Sequence, residues 1–153
     1  MRAFLLMLFL LGSTGSIFAA DVVTGRVIKL LPFLLDQQGR DSTSPSLFDR
    51  DAYQAHLRGH TNEVSGVRFD VQWKAVKATA EKLKVRVEVR GVGEGGTPRL
   101  KTFEAGVAAG FFSKWTTFTL AGGDFKDFGA VVAWRATLWN GQQLLGEQKS
   151  FLW

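Results

Sequence analysis

Along two stretches of this chain every second residue is apolar, and that pattern admits few folds. Val67, Phe69, Val71, Trp73 and Ala75 alternate with Arg68, Asp70, Gln72 and Lys74. Leu83, Val85, Val87 and Val89 alternate with Lys84, Arg86, Glu88 and Arg90. Successive side chains of a strand point to opposite faces, so each stretch carries one apolar row and one charged row. A helix would scatter both sets around its axis. The pattern belongs to sheets with one dry and one wet face, which are usually antiparallel.

Further strands are expected around these two. Arg26–Leu35 is apolar enough for both faces to be covered, and Pro32 assigns it to a sheet edge or a bulge, because proline cannot donate to a ladder. Arg99–Val107 and Ser113–Leu120 follow, the second rich in Thr and aromatics. Gly122–Gly129 reads as a turn. Ala130–Trp139 and Leu144–Leu152 flank Asn140-Gly141, a dipeptide suited to the positive φ values of a tight hairpin. One helix is expected from Pro45 to Arg58, with Ser44 or Ser46 as its cap, Asp49 and Asp51 near its start, and Gly59 just past its end. Phe48, Ala52 and Ala55 would form its packing face. The sum is an all-β chain: an immunoglobulin-like or fibronectin-type sandwich of two antiparallel sheets and about seven strands, with one short helix between the first and second strands. A partly open barrel is the alternative.

The N-terminus constrains location. Arg2 precedes the apolar run Ala3–Leu11, and Gly12–Ala20 is small and turn-prone. That order describes a secretory signal peptide over residues 1–20, leaving 21–153 as a single exported domain, periplasmic or extracellular. The apolar run is too short to cross a bilayer, which takes roughly 20 such residues. With no cysteine in the chain there is neither a lipid-modified N-terminus nor a disulfide, so stability must come from a core. The chain has 19 Lys plus Arg against 14 Asp plus Glu. This mild excess suits solubility or an anionic envelope surface.

The reactive side chains form no complete catalytic motif. His56 and His60 have the four-residue spacing of paired metal ligands on a helix, yet Gly59 lies between them and would end the helix, no Glu is beside His56, and no third ligand is obvious. Ser42, Ser44 and Ser46, with Asp41 and Asp49, precede His56, but no G-x-S-x-G elbow occurs. Gly93–Gly96 joins two expected strands rather than opening a helix, so it is no phosphate cradle. Asp124 and Asp127 match neither a calcium loop nor a defined acid pair. No metal or other cofactor is therefore expected.

Two surface readings remain. Trp73 and Trp134 fall on apolar rows. Trp115, Trp139 and Trp153 either complete the core or face outward together as a flat platform for sugar stacking or protein contact. Arg68 and Lys74, with Lys82, Lys84, Arg86 and Arg90, would share one basic face if their two strands pair, either bridged to Asp70 and Glu88 or open to an anionic polysaccharide or lipid headgroup.

The C-terminal stretch VVAWRATLWNGQQLLGEQKSFLW resembles the ends of small exported bacterial β-sandwich proteins of uncharacterised function. The resemblance implies a fold and no site residues. The sequence reading is a non-catalytic, secreted or periplasmic binding module, contacting another envelope protein or a polysaccharide rather than nucleic acid, with no transmembrane span after signal removal. A carbohydrate-binding module using exposed Trp is one alternative, and a hydrolase or metalloprotein centred on His56 is another.

Overall fold

The computed structural model describes residues 23–77 and 83–153. The expected signal peptide and Lys82 lie outside the described residues. Within them the chain forms β1 (Thr24–Asp36), α1 (Leu47–Gly59), a 3-10 turn (Thr61–Glu63), β2 (Val64–Val76), β3 (Leu83–Val92), β4 (Pro98–Gly106), β5 (Lys114–Ala121), α2 (Gly122–Phe128), β6 (Ala130–Asn140) and β7 (Gln143–Lys149). The strands make two antiparallel sheets, of order β1-β2-β5 and β4-β3-β6-β7.

The alternating rows behave as the period requires. Val67, Phe69, Val71, Trp73 and Ala75 of β2 are buried, as are Leu83, Val85, Val87 and Val89 of β3. Both rows belong to one hydrophobic cluster, joined by Val27 and Leu30 of β1, Phe118 and Leu120 of β5, and Ala136 and Leu138 of β6. Trp73 reaches polar chemistry from inside this cluster, its indole Nε1 donating to Thr116 Oγ1 at 2.8 Å.

Pro32 lies on an edge strand, as its missing N–H requires, and β1 carries a bulge at Ile28. The β6–β7 hairpin turns one residue later than expected, at Gly141-Gln142 with φ 60° at Gly141: Asn140 still pairs with Gln143 at the end of β6 and does not take positive φ. The strand pairing differs from expectation. β2 lies between β1 and β5, whereas β3 lies between β4 and β6, so the two alternating strands are in different sheets. Alternation reports which face is dry but not which strand lies alongside.

The helices also correct the sequence reading. Ser46 caps α1, accepting from the Asp49 N–H, but Phe48, Ala52 and Ala55 are exposed, Phe48 at 81%. The buried residues of α1 are Gln54 and Leu57. Gln54 docks the helix by hydrogen bonds to backbone. Its Oε1 accepts from Leu34 N at 2.8 Å, and its Nε2 donates to Leu34 O and Asp41 O, each at 2.9 Å. The free edge of β1 thus finds a side-chain amide where a neighbouring strand would otherwise be. Gly122–Gly129 is not a bare turn: Phe125 and Phe128, three residues apart, share one face of α2 and pack on the core.

Asp36, at the end of β1, ties the following turn to α1. Its carboxylate accepts from Gln38 N, Arg40 N, Arg40 Nε and Tyr53 OH at 2.8–2.9 Å. Burial alone would raise its pKa. The Arg40 N–H, the Tyr53 hydroxyl, the Arg40 guanidinium and the Gln38 N–H overcome that and bring it down to about 2. A carboxylate whose pKa falls on folding contributes stability that is complete above its unfolded value and lost on acidification through the folded one. We therefore expect the melting temperature to fall between about pH 4 and pH 2, and Asp36→Asn to flatten that limb. Parallel acid limbs in the two proteins would remove Asp36 as its source.

Candidate functional site

A cleft of about 520 Å³ opens at one end of the two sheets. Leu34 of β1, Val64 and Val67 of β2, Phe125 of α2 and Val131 of β6 give it apolar walls, and Arg58 of α1 and Lys126 of α2 add cations. A second cavity of about 280 Å³ shares Leu34, Arg58, Val67 and Val131 with the first and extends past Pro32 and Trp134. The two form one groove along the gap between β1 and β6. Among the described residues, neither the Arg58 nor the Lys126 side chain makes a hydrogen bond or ion pair. Both side chains are exposed and free to meet an anion.

The order of elements creates this groove. β1 ends its sheet and has α1 rather than a strand against its free edge, and Leu34, between buried Phe33 and Leu35, is covered only in part. α2 then carries the chain from β5 in one sheet to β6 in the other, bringing Phe125 and Lys126 over the same end. No sequence pattern announced the groove, because its lining comes from separated segments. The available signals were the apolar excess of residues 26–35 and the two phenylalanines between glycines in GGDFKDFG.

The predicted Trp platform is not assembled. Trp115 is 49% exposed on β5, paired with Gln72, with Lys29 Nζ 5.4 Å from its ring centroid. Trp139 is on β6, in the other sheet, where its Nε1 donates to Thr137 Oγ1 and Arg86 lies 5.6 Å from its ring. Trp153 lies against Arg90 and Arg135, at 4.0 and 5.0 Å. Two of the three indoles are thus covered by guanidinium groups on the outer face of the four-stranded sheet.

The basic residues divide in the same way. Arg68 and Lys74 are on β2; Lys84, Arg86 and Arg90 are on β3, in the other sheet. Arg68 makes a two-point contact with Asp41 at 2.9 and 3.1 Å and also meets Asp70. Lys84 and Arg86 both bond Glu104, whose pKa they lower, and Glu88 binds Arg135. Lys74 lies 5.8 Å from the Phe111 ring. The cross-strand bridging expected of this row is present, but its partners are Glu104 and Arg135 rather than residues of β2.

The Ser-rich loop performs turn and cap chemistry. Ser42 Oγ donates to Ser44 O, Ser44 Oγ donates to Asp49, and Ser46 caps α1. None of these hydroxyls bonds His56, whose Nε2 lies 2.8 Å from Glu63 Oε2. Gly93–Gly96 links β3 to β4, and Asp124 pairs with Lys101. No protein-family model, curated protein or solved structure matches the chain.

Proposed function

We propose that this chain is a non-catalytic, exported binding module whose ligand is an anionic amphiphile: an acyl chain in the groove, with its carboxylate or phosphate against Arg58 and Lys126. The observation that carries this reading is an apolar groove with two unpartnered cations beside it. Its main cavity, about 520 Å³, falls within the range of small-molecule sites. Apolar walls supply the driving force by area, and the cations fix which end of the ligand is held. The order of charge, apolar run and small residues at the N-terminus supports export, where amphiphiles of a cell envelope would be met. An immunoglobulin-like sandwich architecture is part of the proposal. It is supported by the strand order β1-β2-β5 and β4-β3-β6-β7, in which the fourth strand extends the sheet of strands three, six and seven.

Dodecanoate, titrated into the chain without its first 20 residues, should bind one to one, with a change in Trp emission because Trp134 lines the groove. Dodecan-1-ol should bind at least about tenfold more weakly, since a charge-assisted contact contributes roughly 1.5–3 kcal/mol. Replacing both Arg58 and Lys126 by Ala should erase that difference. Equal affinity for acid and alcohol in the unaltered protein, or no binding of either, would end this reading. Binding of soluble glycans in place of dodecanoate would favour the carbohydrate alternative.

A further inference from the structure

The chain contains two histidines and no cysteine, so imidazole rather than thiolate is the donor it offers a borderline metal ion. The fold places both in one spot. α1 runs through Gly59, and His60 caps it, its backbone N–H donating to Leu57 O at 3.2 Å. Gly59 therefore does not carry His60 away. The rings of His56 and His60 stack with centroids 4.0 Å apart. The 3-10 turn then folds Glu63 back over the helix end, putting Glu63 Oε2 2.8 Å from His56 Nε2. One ligand atom from each of His56, His60 and Glu63 lies within 4.8 Å of the other two. The spacing of the histidines was visible in the sequence. The carboxylate was not, because it lies beyond the end of the helix.

A second observation concerns orientation. His60 Nδ1 is 2.9 Å from His56 O. A carbonyl oxygen only accepts, so Nδ1 carries the proton, and the neutral ring keeps its lone pair on Nε2. An Nδ1–H held by a backbone carbonyl fixes the tautomer and ring direction in metal-binding histidines. The His56–Glu63 contact alone would be an ordinary surface ion pair. The stacked and oriented second imidazole makes it a converging set of three donors.

We infer that His56, His60 and Glu63 form a zinc(II) site with a fourth position open to solvent. Two imidazoles and one carboxylate suit a borderline ion, whereas calcium and magnesium prefer all-oxygen cages. Bonds of about 2.0–2.2 Å place tetrahedral ligand atoms roughly 3.4 Å apart. The His56–Glu63 pair must open slightly and the His60 ring must move inward, which solvent-facing side chains at a helix end can do. The metal would clamp the end of α1 to the turn that leads into β2. The site uses no residue of the groove and stands independently of it.

Isothermal titration of the leaderless chain, free of any histidine tag, with zinc chloride near neutral pH tests this directly. One zinc per chain is expected, with no response to calcium or magnesium. His60→Ala and Glu63→Gln should each weaken binding at least about tenfold, no less than loss of an outer-shell partner does. Because these side chains are at the surface, both variants should melt like the parent without zinc, and only the parent's melting temperature should rise with it. In an imidazole ¹⁵N spectrum, zinc should shift both histidines. Absence of zinc binding would overturn the inference, as would binding that survives either substitution at full strength or a spectrum in which only one ring moves.

Discussion

Gly129→Ala is expected to lower stability by about 3–5 kcal/mol, adding backbone strain to overpacking. Gly129 follows α2 with φ 78° and ψ −151°, a region that side chains make inaccessible, and its N–H closes the helix on Phe125 O at 2.9 Å. A Cβ here would lie 2.2 Å from Val92 O and 2.8 Å from Gly93 Cα. Both obstacles are backbone, so no rotamer change relieves them. The connection between α2 and β6 would have to shift, taking buried Phe128 with it. A domain of this size has only about 5–15 kcal/mol in total, so the variant would be marginal or unfolded. Gly95→Ala is the control. Gly95 also has positive φ, 70°, but nothing lies within 4 Å of its absent Cβ. It should cost about 1–2 kcal/mol, the left-handed penalty alone. Equal urea midpoints for the two variants would mean that close backbone approach contributes nothing at Gly129.

Trp73→Ala should cost about 3–5 kcal/mol, the range for removing a large aromatic from a core. Trp73 is 1% exposed and lies among the buried residues of both sheets. Truncation leaves a cavity between them and strands the Thr116 hydroxyl that the indole now satisfies. Trp73→Phe keeps most of the apolar contact and should lose about 1–2 kcal/mol, from the hydrogen bond and the smaller ring. Urea denaturation of both variants gives the comparison. A Trp73→Ala protein within 1 kcal/mol of the parent would show that the two sheets do not depend on this side chain.

How much of this was legible beforehand depends on whether a feature is local. The dry rows of β2 and β3, the edge placement of Pro32, the Ser46 cap and a hairpin turn with positive φ at Gly141 follow from the chemistry of a few adjacent residues, and the structure has them. Strand partnership is not local. Nothing near Phe69 reveals that its cross-strand neighbours are Pro32 and Phe118. The packing face of α1 is not legible from apolar spacing, because it joins buried Leu57 to Gln54, a polar residue that buries itself by bonding backbone. The basic row and the Trp platform failed as shared surfaces for the same reason. Each set spans two sheets whose separation is a property of topology. Glu63 and the groove lining were invisible because contacts across turns assemble them.

The Gln54 amide at the edge of β1 has a consequence for how the protein behaves in a crowd. An open edge is a template on which another chain can grow a strand, and a long apolar one invites aggregation. By taking the N–H and C=O of Leu34 for itself, Gln54 leaves an incoming strand nothing to bond there, and two residues earlier Pro32 has no N–H to offer. A single glutamine and a single proline thus act as gatekeepers on the free edge of an apolar strand, keeping the chain from polymerising through the segment that gives the groove its wall.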